Sequence, residues 1–542
     1  MVRFYVSSET NRAINSEGFK RVVLFAGSYN GYYMNFGDLL QLRSVLRWHR
    51  KENPDSLLCP LLHVSPIPDK KFIYELTSFF GTPYWIFYVH EEEDARNQIV
   101  KLELEPLRIS PSMPSASLHV YGGGFFNSFW GHWMLKMIEG VLVTFPIEHY
   151  VISGQQVGKE FGAILAEHCQ RYRPELIGCR DPVSVEVLSR NSVKAIFSGD
   201  DAFEEMSDCV EGFNKQLLEK NTFGLQLNFS GYVYLPSYQP EGNLPAQLQD
   251  VLVEPVENLL KVLVAKFGTA VIPILVDSYL TVRPEVQNMW VSIKQSLLTK
   301  YFPRFVGVDL VGFLLQGRLA EAARILRSAS HFIATSYHTA FFAKMVGIPS
   351  YLLAFNDYYS QKRSGIETKS RTLEDFLNES PEAIVREQEE IIQNHREARA
   401  KWLAELRQIL GSTNVQAVVV RMAAYYQETN RRLQGELEGK ERVIEGLHSE
   451  VSRLQQETAV LRSQNSILSE EIASLQADLE ERNRVIEGLH SEVSRLWERL
   501  SLIENSRSWR LVQVYWRAMT SPFWRGMFWL PRKIVHLLWR LR

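Results

Sequence analysis

Through the first 200 residues, short β-branched runs ending in Gly or Asp alternate with helix-length amphipathic stretches. The runs are Val22–Gly27, Ser117–Tyr121, Tyr150–Gly154, Leu176–Arg180 and Ala195–Asp200; Asp38–Arg50 and Gly158–Arg171 are two of the helical stretches between them. This alternation predicts parallel βαβ units. A second series follows the charged stretch 214–221, with strands expected at Tyr232–Leu235, Ala270–Leu275, Phe305–Asp309, His331–Ser336 and Tyr351–Phe355 and helices at Leu259–Phe267 and Arg318–Ser328. We therefore expect an α/β chain with two doubly wound, Rossmann-like domains, residues 1–212 and 213–378. The ligand cleft should lie between them, at the carboxyl ends of the strands.

Near Pro381 the pattern changes to Glu, Gln, Arg and Ala, which predicts a helical connector over 379–436 leading into a heptad repeat. With Ile444 as position a, seven of nine a positions are aliphatic and Leu holds seven of nine d positions, from Leu447 to Leu496. Mostly β-branched a, Leu at d and a single Asn465 at a favour a parallel two-stranded coiled coil over 437–503, and hence a homodimer or pairing with another protein. The thirteen residues Arg442–Leu454 recur identically as Arg484–Leu496, an offset of 42 residues that keeps the seam in register. At roughly 1.5 Å per residue the rod is on the order of 100 Å long.

Charge divides the chain further. The formal net charge of -2 hides eight basic and no acidic residues from Arg507 to Arg542, which leaves a formal -10 over residues 1–506. The same tail holds Trp509, Trp516, Trp524, Trp529 and Trp539, five of the twelve tryptophans. The four cysteines have no metal-ligand spacing, the N-terminus lacks an apolar signal core, and no apolar run reaches the length of a spanning helix. A cytoplasmic protein without a bound metal is expected.

Several segments carry a more specific pattern. They are Gly31-Tyr32-Tyr33-Met34-Asn35-Phe36-Gly37-Asp38, Tyr121-Gly122-Gly123-Gly124, Ser153-Gly154-Gln155-Gln156-Val157-Gly158, Arg180-Asp181-Pro182-Val183-Ser184, Gly199-Asp200-Asp201-Ala202-Phe203, and Ser336-Tyr337-His338 followed by Gly347-Ile348-Pro349. In order and spacing, over roughly residues 20 to 370, they resemble the polysaccharide pyruvyl transferase family. The resemblance implies a fold like that of the GT-B glycosyltransferases. It also implies transfer of an enolpyruvyl unit from phosphoenolpyruvate to two hydroxyls of one sugar, with a cyclic ketal formed and phosphate released. That reaction needs a general acid for carbon 3 and cations for phosphate and carboxylate, and calls for no resident cofactor.

His338, expected just past a strand and at the start of an apolar helix, is the candidate acid. Arg180, at a strand end, either pairs with phosphate or carboxylate or forms an internal salt bridge to Asp181 or Asp200. The resemblance implies a donor-contacting lysine, Lys362, expected in the loop after Tyr351–Phe355, with Lys344 and Arg363 as alternatives. Many family members carry Arg where this chain has Ser336, so an anionic ligand would lean on Arg180, Lys362 and backbone amides. Gly122, Gly123 and Gly124 allow close backbone approach to a ligand. Asp38 either caps a helix beginning at Leu39 or binds acceptor hydroxyls.

At the start of the tail, Asn505-Ser506-Arg507-Ser508-Trp509-Arg510-Leu511 resembles a segment found near the ends of bacterial cell-surface glycosyltransferases. The tail's aromatics and arginines describe an interfacial helix on anionic lipid over 507–542, at the inner face of the plasma membrane. Nucleic-acid binding is not expected of an acidic body. Two other readings stay open: a GT-B glycosyltransferase using a nucleotide sugar, and a membrane-associated coiled-coil scaffold whose head has lost catalysis.

Overall fold

The computed structural model describes residues 2–16, 18–29, 31, 33–90, 95–110, 113–212, 222–228, 248–281, 295–412, scattered positions from 421 to 453, and 469–504. The expected strand Tyr232–Leu235, position Asn465 and the basic tail 507–542 lie outside the described residues. The chain divides into two compact units, Met1–Met422 and Ala423–Arg542.

Within the first unit the described residues form two large sheets and a two-stranded one. The larger has ten strands among the described residues, in the order Ile196–Phe197, Leu176–Cys179, Ile147–Val157, Ala116–Val120, Arg21–Ala26, Ser56–His63, Ile86–Val89, Arg3–Val6 and Glu105–Pro106, with Gly123–Phe126 paired beside Ile147–Val157. It is parallel except for Arg3–Val6, which runs antiparallel to both of its neighbours. Val22 to Ala26 are at most 1% exposed, as a central parallel strand covered on both faces requires. The smaller sheet is all parallel, in the order Val306–Asp309, Ile274–Asp277, Phe223–Gln226, His331–Ala334 and Ser350–Leu352. Its central strand, Phe223–Gln226, was not among the expected strands, and the one expected at Ala270–Leu275 begins four residues later.

From Arg21–Ala26 onward in the larger sheet, and throughout the smaller one, the chain reverses its order of winding once. The first reversal falls between Arg21–Ala26 and Ala116–Val120, the second between Phe223–Gln226 and His331–Ala334. The carboxyl ends at a reversal leave a crevice, the usual place for a ligand in such sheets. The two halves are joined by more than the chain. Tyr33–Asn35 pairs antiparallel with Tyr279–Thr281, Tyr279 opposite Asn35. A single apolar core runs from Val23, Leu39 and Leu42 of the first half to Ile274, Leu310 and Phe341 of the second.

Pro381–Leu410, in the segment expected to be a connector, is a 30-residue helix that packs back onto the body. Trp402 and Leu406 are fully buried, Leu406 and Leu410 pack on Val151, and Arg21 Nη1 donates to the Leu410 carbonyl at 2.7 Å. In the second unit Ser469–Glu504 forms a 36-residue helix. On it Leu489 and Leu496 are 38% and 44% exposed, an apolar stripe open to solvent in the single chain. No helix among the described residues is long and apolar enough to cross a membrane.

Candidate active site

The two crevices open into one cavity of about 620 Å³, lined by residues from both halves of the first unit. His338, Arg180, Lys362, Ser336, Asp38, Gly123 and Gly124 all line it. Gly122 does not: its N–H is turned away and donates to Asp201 Oδ2 at 2.6 Å.

His338 stands in the first turn of the helix Tyr337–Val346 because Ser336 caps that helix, its hydroxyl accepting from Thr339 N–H at 3.4 Å. Ser336 thus serves the fold as well as the cavity wall. Its N–H, with that of Thr335, donates to Gln226 Oε1 at the end of the central strand. The imidazole Nε2 lies 3.2 Å from Asp200 Oδ2, and Asp200 also takes the Ala202 N–H at 2.9 Å. Burial pushes the Asp200 carboxyl upward, but His338, Arg180 and the Ala202 N–H together outweigh it and hold the group below the usual carboxylate range.

Arg180 follows the strand Leu176–Cys179 and is 2% exposed. Of the two internal partners considered for it, Asp200 is the one in reach, at 3.7 Å from Nη1. Asp181 instead caps the helix Pro182–Arg190 through Ser184 N–H at 2.8 Å. Arg180 also bonds Gln156 Oε1 and lies 4.3 Å over the Tyr337 ring. A guanidinium fixed on three sides presents its remaining edge to the cavity without loss of rotamer entropy.

Lys362 is on the helix Asp357–Ser364 rather than in a loop, a helix capped by Asn356. Its ammonium lies 4.2 Å from the Tyr358 ring and 4.7 Å from that of Tyr359. Burial, with Arg180 adding repulsion and Asp38 opposing both, holds it well below the ordinary lysine range. The two alternative cations point elsewhere. Lys344 is buried with Nζ on the Ser350 carbonyl at 2.7 Å, and Arg363 donates to Tyr351 Oη at 2.8 Å.

Asp38 does not cap its helix. Phe36–Glu52 starts two residues before it, and Asn35 is the cap, accepting from Gly37 N–H at 3.0 Å. This puts Asp38 in the first turn, where it lines the cavity. Burial raises its carboxyl, against the pull of His338, Ser28, Lys362 and Arg180. Across the cavity the Gly124 backbone packs closely against Tyr358. A Cβ there would come 2.5 Å from Tyr358 Oη, and that hydroxyl donates to the Gly124 carbonyl at 2.9 Å.

Sequence reasoning overlooked Phe129, Trp130 and Trp133 on the wall, and Arg399 behind it. The signal for the first three was present as Phe129-Trp130-Gly131-His132-Trp133, with large rings three residues apart, but the same pattern describes any buried helix face. Arg399, on the helix Pro381–Leu410, donates to Asp201 Oδ1 at 2.5 Å and to Glu204 at 2.9 and 3.2 Å.

A polysaccharide pyruvyl transferase family model matches residues 35–357. No curated protein matches the chain. Among solved structures, the N-terminal domain of Candida albicans trehalose-6-phosphate phosphatase is 10% identical, with 72% of this chain and 99% of that one covered and a TM-score of 0.37. The S. aureus MnaA-UDP structure is 11% identical over 76% and 97%, with a TM-score of 0.35. Anabaena Alr3699/HepE, solved with UDP and glucose, is 9% identical over 72% and 99%, with a TM-score of 0.33. The family match takes in more than half of the chain, from the Asn35 cap to the helix that carries Lys362, and on it this chain belongs to the polysaccharide pyruvyl transferase family.

Proposed function

We propose that this transferase moves an enolpyruvyl unit from phosphoenolpyruvate to two hydroxyls of one sugar in a cell-surface polysaccharide intermediate. The observation that carries this reading is the meeting of one imidazole, one guanidinium and one ammonium in a single cavity: His338, Arg180 and Lys362.

In this reading Arg180 and Lys362 hold the donor's phosphate and carboxylate. Asp200 lies at Nε2 of His338 and orients the ring, and the imidazole, which lines the cavity, delivers a proton to carbon 3 of the donor. Carbon 2 gains cationic character, and the first sugar hydroxyl adds to it and gives up its proton. Phosphate then departs with the electron pair of its bond to carbon 2, and the second hydroxyl closes the ketal, also losing its proton. In the same reading Asp38, a cavity-lining carboxyl raised by burial, accepts a hydroxyl proton. Diol and phosphoenolpyruvate enter; ketal and inorganic phosphate leave.

Phosphate release from phosphoenolpyruvate that depends on an added sugar tests the reading. His338→Ala and Asp200→Asn should each lower turnover by at least about 100-fold. Sugar transfer from a nucleotide donor with no use of phosphoenolpyruvate would overturn it, and full activity in His338→Ala would remove His338 from the acid's role. The reading extends to the rest of the chain as a cytoplasmic homodimer paired in parallel through 437–503, held on anionic lipid through 507–542 where lipid-linked acceptors lie. Sedimentation with anionic liposomes that survives truncation after Ile503 would refute the membrane part.

A further inference from the structure

The cavity has two chemically different parts. The cations belong to one, and the other is a shelf of rings fixed by local hydrogen bonds. The Asn127 side chain donates to the Gly124 carbonyl at 2.6 Å and accepts from Phe129 N–H at 2.8 Å and Trp130 N–H at 3.1 Å. This turn ties both rings to the glycine loop. Gly131 then lets the helix Gly131–Thr144 start hard against Phe161, since a Cβ there would come 2.3 Å from that ring. Trp130 and Trp133, three residues apart, consequently share the face that lines the cavity.

The shelf begins beside the donor cation. The Trp130 centroid is 6.2 Å from that of Tyr358, the ring that Lys362 overlies. It ends at Trp133, packed 4.7 Å from His90 and 5.5 Å from His63. Burial holds both imidazoles at about 4, with Lys136 and the N-terminal amine adding repulsion at His90, so neither imidazole supplies a cation at ordinary pH, and among the residues that line the cavity the cations Arg180, Lys362 and His338 belong to the other part. Asn35, Asp38 and Asn228 also line the cavity and supply hydrogen-bonding groups. A ligand that fits both features has an uncharged apolar face and a polar edge. A pyranose ring has both: axial C–H bonds on its face and hydroxyls around its rim.

We infer that Phe129, Trp130 and Trp133 form the acceptor subsite, on which a neutral hexopyranose lies by its C–H face with two hydroxyls turned toward His338. The direction of the hydroxyls rests on the pyruvyl-transfer reading; the binding of the ring does not.

The test uses the full chain and saturation-transfer NMR with methyl β-galactopyranoside, methyl β-glucopyranoside and methyl β-mannopyranoside, without phosphoenolpyruvate. At least one should receive saturation at its ring C–H protons, and the signal should be lost in Trp130→Ala and Trp133→Ala but kept in Trp130→Phe and Trp133→Phe. In the transfer assay the alanine variants should raise KM for the sugar about tenfold and leave KM for phosphoenolpyruvate within twofold. Failure of all three hexosides to bind, or unchanged binding in both alanine variants, would overturn the inference. So would tryptophan-dependent binding confined to UMP or to the alkyl chain of octyl glucoside. Tryptophan-dependent hexoside binding with no phosphate released from phosphoenolpyruvate would leave the subsite standing and remove the pyruvyl-transfer reading.

Discussion

A Cβ placed on Gly37 would lie 1.8 Å from Nδ1 of His338, so the helix beneath the cavity reaches the imidazole only because residue 37 has no side chain. In an exposed helix Gly→Ala gains up to about 1 kcal/mol. Gly37→Ala should instead displace the imidazole, and a shift of about 1 Å in a reacting group costs on the order of 100-fold. We expect kcat to fall by that factor while the thermal midpoint shows that the fold is kept.

Arg399 never meets the cavity, yet it neutralises Asp201, whose other oxygen receives Gly122 N–H and the Ser153 hydroxyl, each at 2.6 Å. Arg399→Met leaves that buried carboxylate without its cation, which should cost about 3–5 kcal/mol. Urea unfolding measures the loss. Adding Asp201→Asn should recover part of it, because the charge left behind is then gone.

Acid should weaken the fold through its histidines. Burial holds His331 at about 4, against Phe267 and Phe376, with Lys266 adding repulsion. An unfolded histidine takes up its proton near 6.5. Between pH 6.5 and 4 the unfolded chain therefore holds more protons than the folded one, so stability is complete above 6.5 and falls as the pH drops through that window. His331→Gln removes one such proton. The slope of unfolding free energy against pH from 6 to 4.5 should flatten by on the order of 1 kcal/mol per unit.

The solvent-facing Leu489 and Leu496 stand at d positions of the heptad. If they seat against a second copy, Leu489→Lys/Leu496→Lys in the full chain should convert a dimer into a monomer at micromolar concentration. Sedimentation velocity reads this directly, and a parent chain that is already monomeric would exclude the homodimer.

Much of the site was legible because the chemistry-bearing residues follow strand ends. Arg180 comes directly after the strand Leu176–Cys179 and His338 four residues after the end of His331–Ala334, and seven of the eight singled-out side chains and glycines line one cavity. What escaped reading was set by tertiary contact. Phe223–Gln226 is four residues long, includes a glycine and ends in a polar side chain, so nothing local marks it as the centre of a sheet. Gln226 is buried there because its side chain holds the turn before His338. Asp38 looked like a cap because the residue before an apolar run often is one, but Asn35 took that place. Trp130 and Trp133 have the spacing of core residues, and only the Asn127 turn and the packing of Gly131 on Phe161 explain why they face a cavity.

Arg21 and Leu410 are joined although 389 residues separate them. During synthesis the first sheet therefore emerges long before the helix that covers Val151 and neutralises Asp201. Until residue 410 has left the ribosome, an apolar edge and a buried-to-be carboxylate stand uncovered on the nascent chain, the stage at which such surfaces invite misassembly. The helix Pro381–Leu410 thus acts as a clasp closed late in the translation of the body. Truncations ahead of residue 410 should be recovered as aggregate or chaperone complex rather than as a smaller enzyme.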